Sequence, residues 1–226
     1  QANSVIAAEA LVRWRLEDGT YLPPSSFVDI FEKNLFCSKL DFYMLKKAIQ
    51  QIRKWIDMGM NPVNISVNQS KIVFYHENYI SELKSLLEEY NVSGSYITLE
   101  VLESTVIEDI DMFNSILTEV KKLGFSVSLD DFGSGYSSLN VLSKLQIDEL
   151  KIDRIFLHTK SEVDNQRTKW ILESIIDIAK KSQILVVVEG VESKQDDLFI
   201  KNLGADVGQG YFYGRPLSIS AFNDLI

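Results

Sequence analysis

The sequence is poor in the residues that build disulfide frameworks and zinc sites. Its 226 residues include 1 cysteine, Cys37, so an internal disulfide framework is excluded and a reducing compartment is favoured. It has 2 histidines, His76 and His158, and we predict that both lie in loops or at the surface. With so few nitrogen and sulfur ligands, a zinc site of the usual kind is not expected.

Basic residues and long apolar runs are also scarce. There are 23 Lys and Arg against 32 Asp and Glu, a net charge of −9, and contacts to nucleic-acid phosphates need basic patches, so no DNA or RNA polymer is expected as a partner. No apolar run approaches the roughly 18 to 20 residues that cross a bilayer, and no signal peptide opens the chain, so this domain is not expected to contact a membrane. Because the chain starts at Gln1 without Met, we expect residues 1–226 to be one cytoplasmic domain excised from a longer protein, which itself can be membrane-attached.

What the sequence does contain is a regular alternation of β-rich and helical segments. Apolar residues recur at spacings of three and four within 41–58, 80–87, 113–120 and 171–179, which predicts amphipathic helices. Gly59, Gly124 and Gly204 stand where glycine commonly ends a helix. The predicted strands are VIAAEALV (5–12), VNISV (63–67), YITLEV (96–101), FSVSLD (125–130), ELKID (149–153), ILVVVE (184–189) and VGQGYFY (207–213). This alternation implies a mostly parallel sheet, and the length favours a (β/α)8 barrel, typically about 250 residues, over an open doubly wound sheet.

One face of these strands is unusually polar. Because strand side chains alternate between faces, Thr98 and Glu100 point opposite Ile97 and Leu99. The same alternation gives a polar face to the other strands, with Asn64 and Ser66, Ser128 and Asp130, Lys151 and Asp153, and Glu189 at a strand end. An open parallel sheet buried by helices tends to be apolar on both faces. Polar groups late in the strands are typical of a barrel active site.

Several of these polar residues carry oxygen ligands, namely Glu9, Asn64, Glu100, Asp130, Asp131 and Glu189. Gathered in one site, the carboxylates would repel strongly unless cations neutralised them. Oxygen ligands favour hard cations such as Mg²⁺ or Mn²⁺, and two ions about 3.5 to 4 Å apart are a standard arrangement for hydrolysing phosphate esters. Lys151 could then either orient the attacking water or offset charge in the transition state.

The stretch SLDDFGSGYSS (128–138) joins two acids to a glycine-rich turn. It resembles part of a dinucleotide-binding turn, but the third glycine is missing and acids stand where a phosphate would approach, and no P-loop lysine follows. In a continuing strand Asp130 and Asp131 would point to opposite faces. We therefore predict that the strand ends at this pair, with Gly133 and Gly135 permitting a sharp turn.

Taken together, these motifs resemble the EAL domain, whose active members are phosphodiesterases of the bacterial second messenger cyclic di-GMP. The matching motifs run in the family's order: Glu9-Ala10-Leu11-Val12-Arg13-Trp14, Asn64-Ile65-Ser66, Glu100 with Glu103, Asp130-Asp131-Phe132-Gly133-Ser134-Gly135-Tyr136-Ser137-Ser138-Leu139, Lys151-Ile152-Asp153, Glu189-Gly190-Val191-Glu192, Gln209-Gly210-Tyr211 and Gly214-Arg215-Pro216-Leu217. The resemblance covers nearly the whole chain.

The resemblance implies two metal ions with a shared ligand. The implied ligands are Glu9, Asn64, Glu100 and Asp130 for the first ion, and Asp130, Asp131 and Glu189 for the second. Lys151 would contact the nucleophilic water, and Glu189 has also been considered as the base. The implied fold is a modified (β/α)8 TIM-like barrel with one early antiparallel strand, and the implied product is linear pGpG.

The resemblance also assigns substrate contacts and a partner. The implied substrate-binding residues are Leu11, Arg13, Asp153, Gln209, Arg215 and Pro216. Glu103 would brace the loop after Asp131, and that loop, residues 132–139, implies a homodimer. Two other functions stay open at this point, a cyclic di-GMP receptor that binds without cutting and a protein-interaction module indifferent to the nucleotide. Receptor members of the family usually lack several of the acids, and this sequence lacks none.

Overall fold

The structure is a computed structural model, and it describes residues 5–34, 36–103, 110–134, 139–157 and 162–226. The strands are β1 (Ala7–Glu9), β2 (Trp14–Arg15), β3 (Tyr21–Leu22), β4 (Asn64–Gln69), β5 (Ile97–Leu102), β6 (Ser126–Phe132), β7 (Glu149–Ile152), β8 (Leu185–Val188) and β9 (Val207–Gly208). The α-helices span Val28–Lys33, Cys37–Asp57, Lys71–Phe74, Tyr79–Tyr90, Ile110–Lys122, Leu139–Lys144, Glu162–Lys181, Lys194–Leu203 and Ile219–Asn223. Short 3-10 turns span Pro24–Ser26, Gly94–Tyr96 and Arg154–Phe156.

The chain divides into two compact units. Unit 1 comprises Gln1–Val101, Thr118–Ser126 and Leu225–Ile226, and unit 2 comprises Leu102–Leu117 and Val127–Asp224. The assignment of residues 1–226 to one functional domain stays a prediction.

Unit 1 holds a parallel sheet in which β4 lies between β1 and β5. The helix Cys37–Asp57 packs against β4 and against the helix Tyr79–Tyr90. Its apolar stripe is fully buried at Leu45, Ile49 and Ile52, as its spacing of three and four predicts. The helix therefore covers β4, the strand that carries Asn64 and Asn68.

Unit 2 holds the parallel strands β6, β7, β8 and β9 in that order. Its sheet core consists of residues that are at most 2 % exposed, among them Val127, Leu129, Leu150, Ile152, Val186 and Val188. The helix Lys194–Leu203 begins with a capping box between Ser193 and Asp196 and ends at Gly204, which has a left-handed backbone. A capping box at the start and a glycine at the end are the signals by which the bounds of a helix can be predicted from sequence.

The predicted class, α/β with parallel strands, is confirmed, although some bounds differ. Antiparallel pairing does occur early in the chain, but it joins β2 to β3 in a small separate sheet, while β1 runs parallel to β4. The predicted strands at 5–12 and 207–213 are much shorter, since β1 ends at Glu9 and β9 at Gly208. Among the residues that the structure describes, no helix is long and apolar enough to cross a membrane.

Candidate metal centre and active site

Asp130 and Asp131 reach one site through a bulge in β6. The strand continues to Phe132, but its pairing with β7 shifts between Leu129 and Phe132, and Asp131 has a left-handed backbone with φ of 57°. Aspartate tolerates this conformation better than most residues. Our prediction that the strand ends at the pair is wrong, because β6 continues to Phe132. The two carboxylates reach one site because the bulge breaks the alternation of faces.

The bulge creates a cluster of three carboxylates. One oxygen from each of Asp130, Asp131 and Glu189 lies within 4.8 Å of the other two. The backbone N–H of Asp131 donates to Asp130 Oδ1 at 2.9 Å, which fixes the first carboxylate relative to the bulge. Asp130 is 8 % exposed, so the cluster is partly withdrawn from water and the repulsion among its charges is weakly screened.

Lys151 is the cation that faces this cluster. Its Nζ lies 2.7 Å from Glu189 Oε1 and 3.3 Å from Asp130 Oδ1, and the residue is 2 % exposed. A buried ammonium between two carboxylates offsets the repulsion between their charges. Lys151 therefore joins the end of β8 to the bulge of β6 from its position on β7.

Glu189 is placed by the backbone directly after β8. Its N–H donates to the carbonyl of Ile152 at 3.0 Å, so the sheet pairing extends one residue beyond the strand. Gly190 follows with φ of 71°, and a side chain there would collide with Arg154. Glycine is required at this position, and the turn it makes carries the chain away from the carboxylate cluster.

Glu149 lies two residues before Lys151 on the same face of β7. It stands opposite Ser128 of β6 in the strand register. Burial raises the pKa of the Glu149 carboxyl, and the neighbouring Ser128 hydroxyl and the charge of Lys151 partly oppose that rise. Sequence reasoning missed this residue, although the two-residue spacing from Lys151 was a usable signal.

Asp153, the residue that we paired with Lys151, serves a local structural purpose in this structure. Its side chain accepts a hydrogen bond from the N–H of Ile155 at 2.7 Å and caps the 3-10 turn Arg154–Phe156. Its predicted contact with substrate stays a prediction.

Unit 1 holds a second polar group around β4. Glu9 lies at the end of β1, and its Oε1 accepts a hydrogen bond from Asn68 Nδ2 at 3.1 Å. Asn68 also stands opposite Glu100 of β5 in the strand register, and Glu100 is 1 % exposed. Asn68 therefore lies between the two predicted carboxylate ligands of this unit.

Asn64, the amide that we predicted as a ligand, lies four residues earlier on the same strand. Its Oδ1 accepts from the hydroxyl of Thr98 at 2.9 Å, and its Nδ2 donates to the carbonyl of Ser95 at 3.4 Å. The structure thus brings Asn68, not Asn64, into contact with Glu9. The Asn-x-Ser pattern recurs at Asn68-Gln69-Ser70, and this repeat was the signal that sequence reasoning overlooked.

The remaining predicted contacts lie on turns and at the surface. In unit 1, Leu11 and Arg13 are exposed. In unit 2, Arg215 and Pro216 are exposed, the Arg215 guanidinium lies 4.5 Å from the centre of the Tyr211 ring, and the N–H of Gln209 donates to Val188 at 2.9 Å.

Some predictions fall at the limits of the described chain. Glu103 is buried at 6 % exposure. Residues 104–109, which follow it, lie outside the described residues. In the loop predicted to support the dimer, residues 135–138 lie outside the described residues, as does His158. His76 is described and lies at the surface, as predicted, 3.7 Å from Glu82.

The carboxylate cluster fits a divalent cation. Its three donors are carboxylate oxygens, the ligands that Mg²⁺, Mn²⁺ and Ca²⁺ prefer over nitrogen or sulfur. They stand late in β6 and directly after β8, at the ends of parallel strands where ligands of such sheets bind. Fold and site together define an α/β protein with an acidic, metal-type site beside a buried lysine.

The comparisons with known proteins identify the family. The model of the EAL domain family matches residues 1–216, and the chain belongs to this family. The chain is 33 % identical over 213 residues to the bifunctional diguanylate cyclase/cyclic di-GMP phosphodiesterase MucR of Pseudomonas aeruginosa, covering 94 % of this chain and 31 % of that protein. It is 32 % identical over 221 residues to the cyclic di-GMP phosphodiesterase PdeR of Escherichia coli, covering 97 % of this chain and 33 % of that protein.

A solved structure gives the same assignment. The PaMucR phosphodiesterase in its c-di-GMP complex superposes with a TM-score of 0.85 at 32 % identity, over 95 % of this chain and 86 % of that one. The predicted family is therefore confirmed, and the chain shares the fold of EAL phosphodiesterase structures. It spans about a third of the length of the curated relatives named above.

Proposed function

We propose that this domain hydrolyses cyclic di-GMP to linear pGpG with the help of divalent cations, Mg²⁺ or Mn²⁺, bound as a pair. The observation that carries the proposal is the cluster of Asp130, Asp131 and Glu189 with Lys151 in contact, in a chain of the EAL family. Relatives of this chain are named cyclic di-GMP phosphodiesterases. In the reaction, water adds to a phosphorus atom and one P–O ester bond breaks, so that the ring opens and the linear product carries a 5′-phosphate at one end and a 3′-hydroxyl at the other.

The two polar groups supply the ligands in this proposal. Asp130, Asp131 and Glu189 would hold one ion. Glu9 and Glu100 would hold the other together with an amide, with Asp130 as the shared ligand that the family resemblance implies. We propose Asn68 as that amide in place of Asn64, because Asn68 contacts Glu9 and faces Glu100, whereas the Asn64 amide is hydrogen-bonded to Thr98 and Ser95. When bound, such ions polarise the phosphate and lower the pKa of water.

Lys151 and Glu189 handle charge and protons in the proposed reaction. The Lys151 ammonium, 2.7 Å from Glu189 Oε1, holds that carboxylate in position to accept a proton from the attacking water. The same ammonium donates hydrogen bonds toward negative charge that develops on phosphate oxygens. Because Lys151 is buried and held from two sides, it needs little reorganisation during the reaction.

Substrate contacts are proposed at six residues. Arg13 would bind a phosphate, since its guanidinium carries the charge and the fork of donors that phosphate accepts. The other proposed contacts are Leu11, Asp153, Gln209, Arg215 and Pro216. A homodimer, with Glu103 bracing the loop 132–139, and a cytoplasmic location are likewise proposals.

Product analysis tests the function directly. The purified domain is incubated with cyclic di-GMP and Mg²⁺ or Mn²⁺, and the nucleotides are separated by chromatography; pGpG is expected with wild type and is lost in Asp130→Asn and Glu9→Gln. Retained circular dichroism and Tm show that each variant is folded. Near-normal turnover in these variants contradicts the metal roles, and calorimetric binding without product indicates a receptor.

A further inference from the structure

Tyr213 and Asp197 join a surface turn to a helix in unit 2. The Tyr213 hydroxyl donates to Asp197 Oδ1 at 2.6 Å, and Asp197 is 6 % exposed on the helix Lys194–Leu203. Lys201, one helical turn later, lies 2.8 Å from the same oxygen. We call these three residues the tyrosine clamp.

The clamp acts on the turn of residues 208–214. The Tyr213 ring packs against the backbone of Gly208, where any side chain would collide with the ring and with Ile200. The N–H groups of Tyr213 and Gly214 both donate to the carbonyl of Gly210, at 3.1 and 3.2 Å. A hydroxyl held by a buried carboxylate therefore anchors the closing residue of this turn.

The same turn is hydrogen-bonded to the segment that carries Glu189. The N–H of Gln209 donates to Val188 at 2.9 Å, and the carbonyl of Gln209 accepts from Val191 at 3.0 Å. Phe212 N–H donates to the carbonyl of Val191, also at 3.0 Å. Gln209 thus brackets Glu189 and Gly190 from both sides, and the turn leads directly into Arg215 and Pro216.

We propose that Tyr213 and Asp197 are positioning residues that hold Gln209 and the following turn in the conformation that binds substrate; this inference rests on the proposed function. Residues 211–220 are all exposed, so little burial secures the turn, and weakly packed surface segments open readily. The hydrogen bond from Tyr213 to a buried carboxylate then adds to the backbone hydrogen bonds that keep the turn in place. Lys151 independently contacts Glu189, so loosening the turn affects substrate binding more than the chemical step.

The test uses Tyr213→Phe, which keeps the ring and removes the hydroxyl. Lys201 still neutralises Asp197 in this variant, so the fold is retained. The expected result is a rise in KM for cyclic di-GMP of about three- to tenfold, the factor that one hydrogen bond sets, with kcat within about twofold. Tyr43→Phe is the matched control, because Tyr43 is 55 % exposed on the helix Cys37–Asp57, and it should change neither constant.

Hydrogen exchange gives a readout that does not depend on turnover. In Tyr213→Phe, peptides covering 186–192 and 207–214 should exchange faster, while those from the helix Lys194–Leu203 stay protected. The variant Asp197→Asn should loosen the same peptides, and the double variant should add little to either single change.

Each outcome decides the inference. Faster exchange confined to those peptides together with a raised KM supports it. Unchanged exchange, an unchanged KM in an active enzyme, or a general loss of Tm with reduced kcat overturns it. If wild type forms no pGpG, the proposed function fails, and the exchange comparison alone decides whether the clamp holds the turn.

Discussion

Replacing Lys151 with Met keeps the length of a buried side chain and removes the charge between Asp130 and Glu189. At the separations of 3.3 and 2.7 Å, the attraction amounts to roughly 5 and 6 kcal/mol at an effective dielectric constant of about 20, before desolvation is subtracted. Removing one partner of a buried ion pair typically costs about 3 to 5 kcal/mol. At about 2 to 4 °C per kcal/mol for a chain of this size, metal-free Lys151→Met should unfold about 6 to 20 °C below wild type.

Metal addition should reverse part of that loss. The carboxylates of Asp130 and Glu189 lack their cation in the variant, so Mn²⁺ should raise its Tm by more than it raises that of wild type. Turnover of cyclic di-GMP should nevertheless fall by about 10²-fold or more, because a donor to the transition state is gone.

Differential scanning fluorimetry with and without Mn²⁺, followed by a turnover assay, measures all three effects. Lys46→Met is the matched control, since Lys46 pairs with Glu89 at 3.3 Å with 43 % of its side chain exposed, and surface pairs contribute about 0 to 1 kcal/mol. An unchanged metal-free Tm in Lys151→Met, or turnover within about threefold of wild type, refutes the electrostatic account. Loss of Mn²⁺ binding instead indicates a structural role for Lys151.

Two further predictions concern unit 1. Asn68→Ala should raise the Mn²⁺ concentration needed for half-maximal turnover by about tenfold or more, because its contact with Glu9 is lost. Asn64→Ala should leave that concentration unchanged and lower the free energy of unfolding by about 1 kcal/mol, because its hydrogen bond with Thr98 is lost. The reverse pattern would restore Asn64 as the ligand. Burial raises the pKa of Asp41 from 3.8 to about 6, against hydrogen bonds from Ser70, so its contribution to stability is fully present below pH about 4 and is lost as the pH rises to about 6. Urea unfolding from pH 4 to 7 should show that Asp41→Asn removes up to about 3 kcal/mol of this dependence, and an identical pH profile in the variant would contradict the assignment.

The α/β class could be predicted from the sequence because its signals are local. The spacing of Leu45, Ile49 and Ile52 in one helix and the alternation of Thr98 and Glu100 with Leu99 in β5 each follow from the geometry of a single element. The structure buries these side chains as the patterns predict. The order of the motifs predicts membership of the EAL family, and the match to the family model confirms it.

The geometry of the site could not be predicted in the same way. Alternation places Asp130 and Asp131 on opposite faces, and only the left-handed backbone of Asp131 and the shifted pairing of β6 bring them together. Alternation also places Asn64 and Asn68 on the same face. The choice between them depends on the register of β4 against β1 and β5, which joins residues far apart in sequence.

The hydrogen bond between Tyr213 and Asp197 could not be predicted from the sequence either. The two residues are 16 positions apart, and Asp197 stands in none of the family motifs, whereas Tyr213 lies between two of them. What unites them is the packing of a turn against a helix, and this depends on tertiary structure rather than on any local pattern.

Metal-dependent hydrolysis in ¹⁸O-labelled water tests the central claim most directly. The domain is stripped with EDTA, given cyclic di-GMP, and then supplied with Mg²⁺ or Mn²⁺, and the product is analysed by mass spectrometry. We predict no product before the metal is added, and afterwards pGpG with one ¹⁸O in its 5′-phosphate. No pGpG with either metal in a folded sample, or equal product in the stripped sample, would contradict the account.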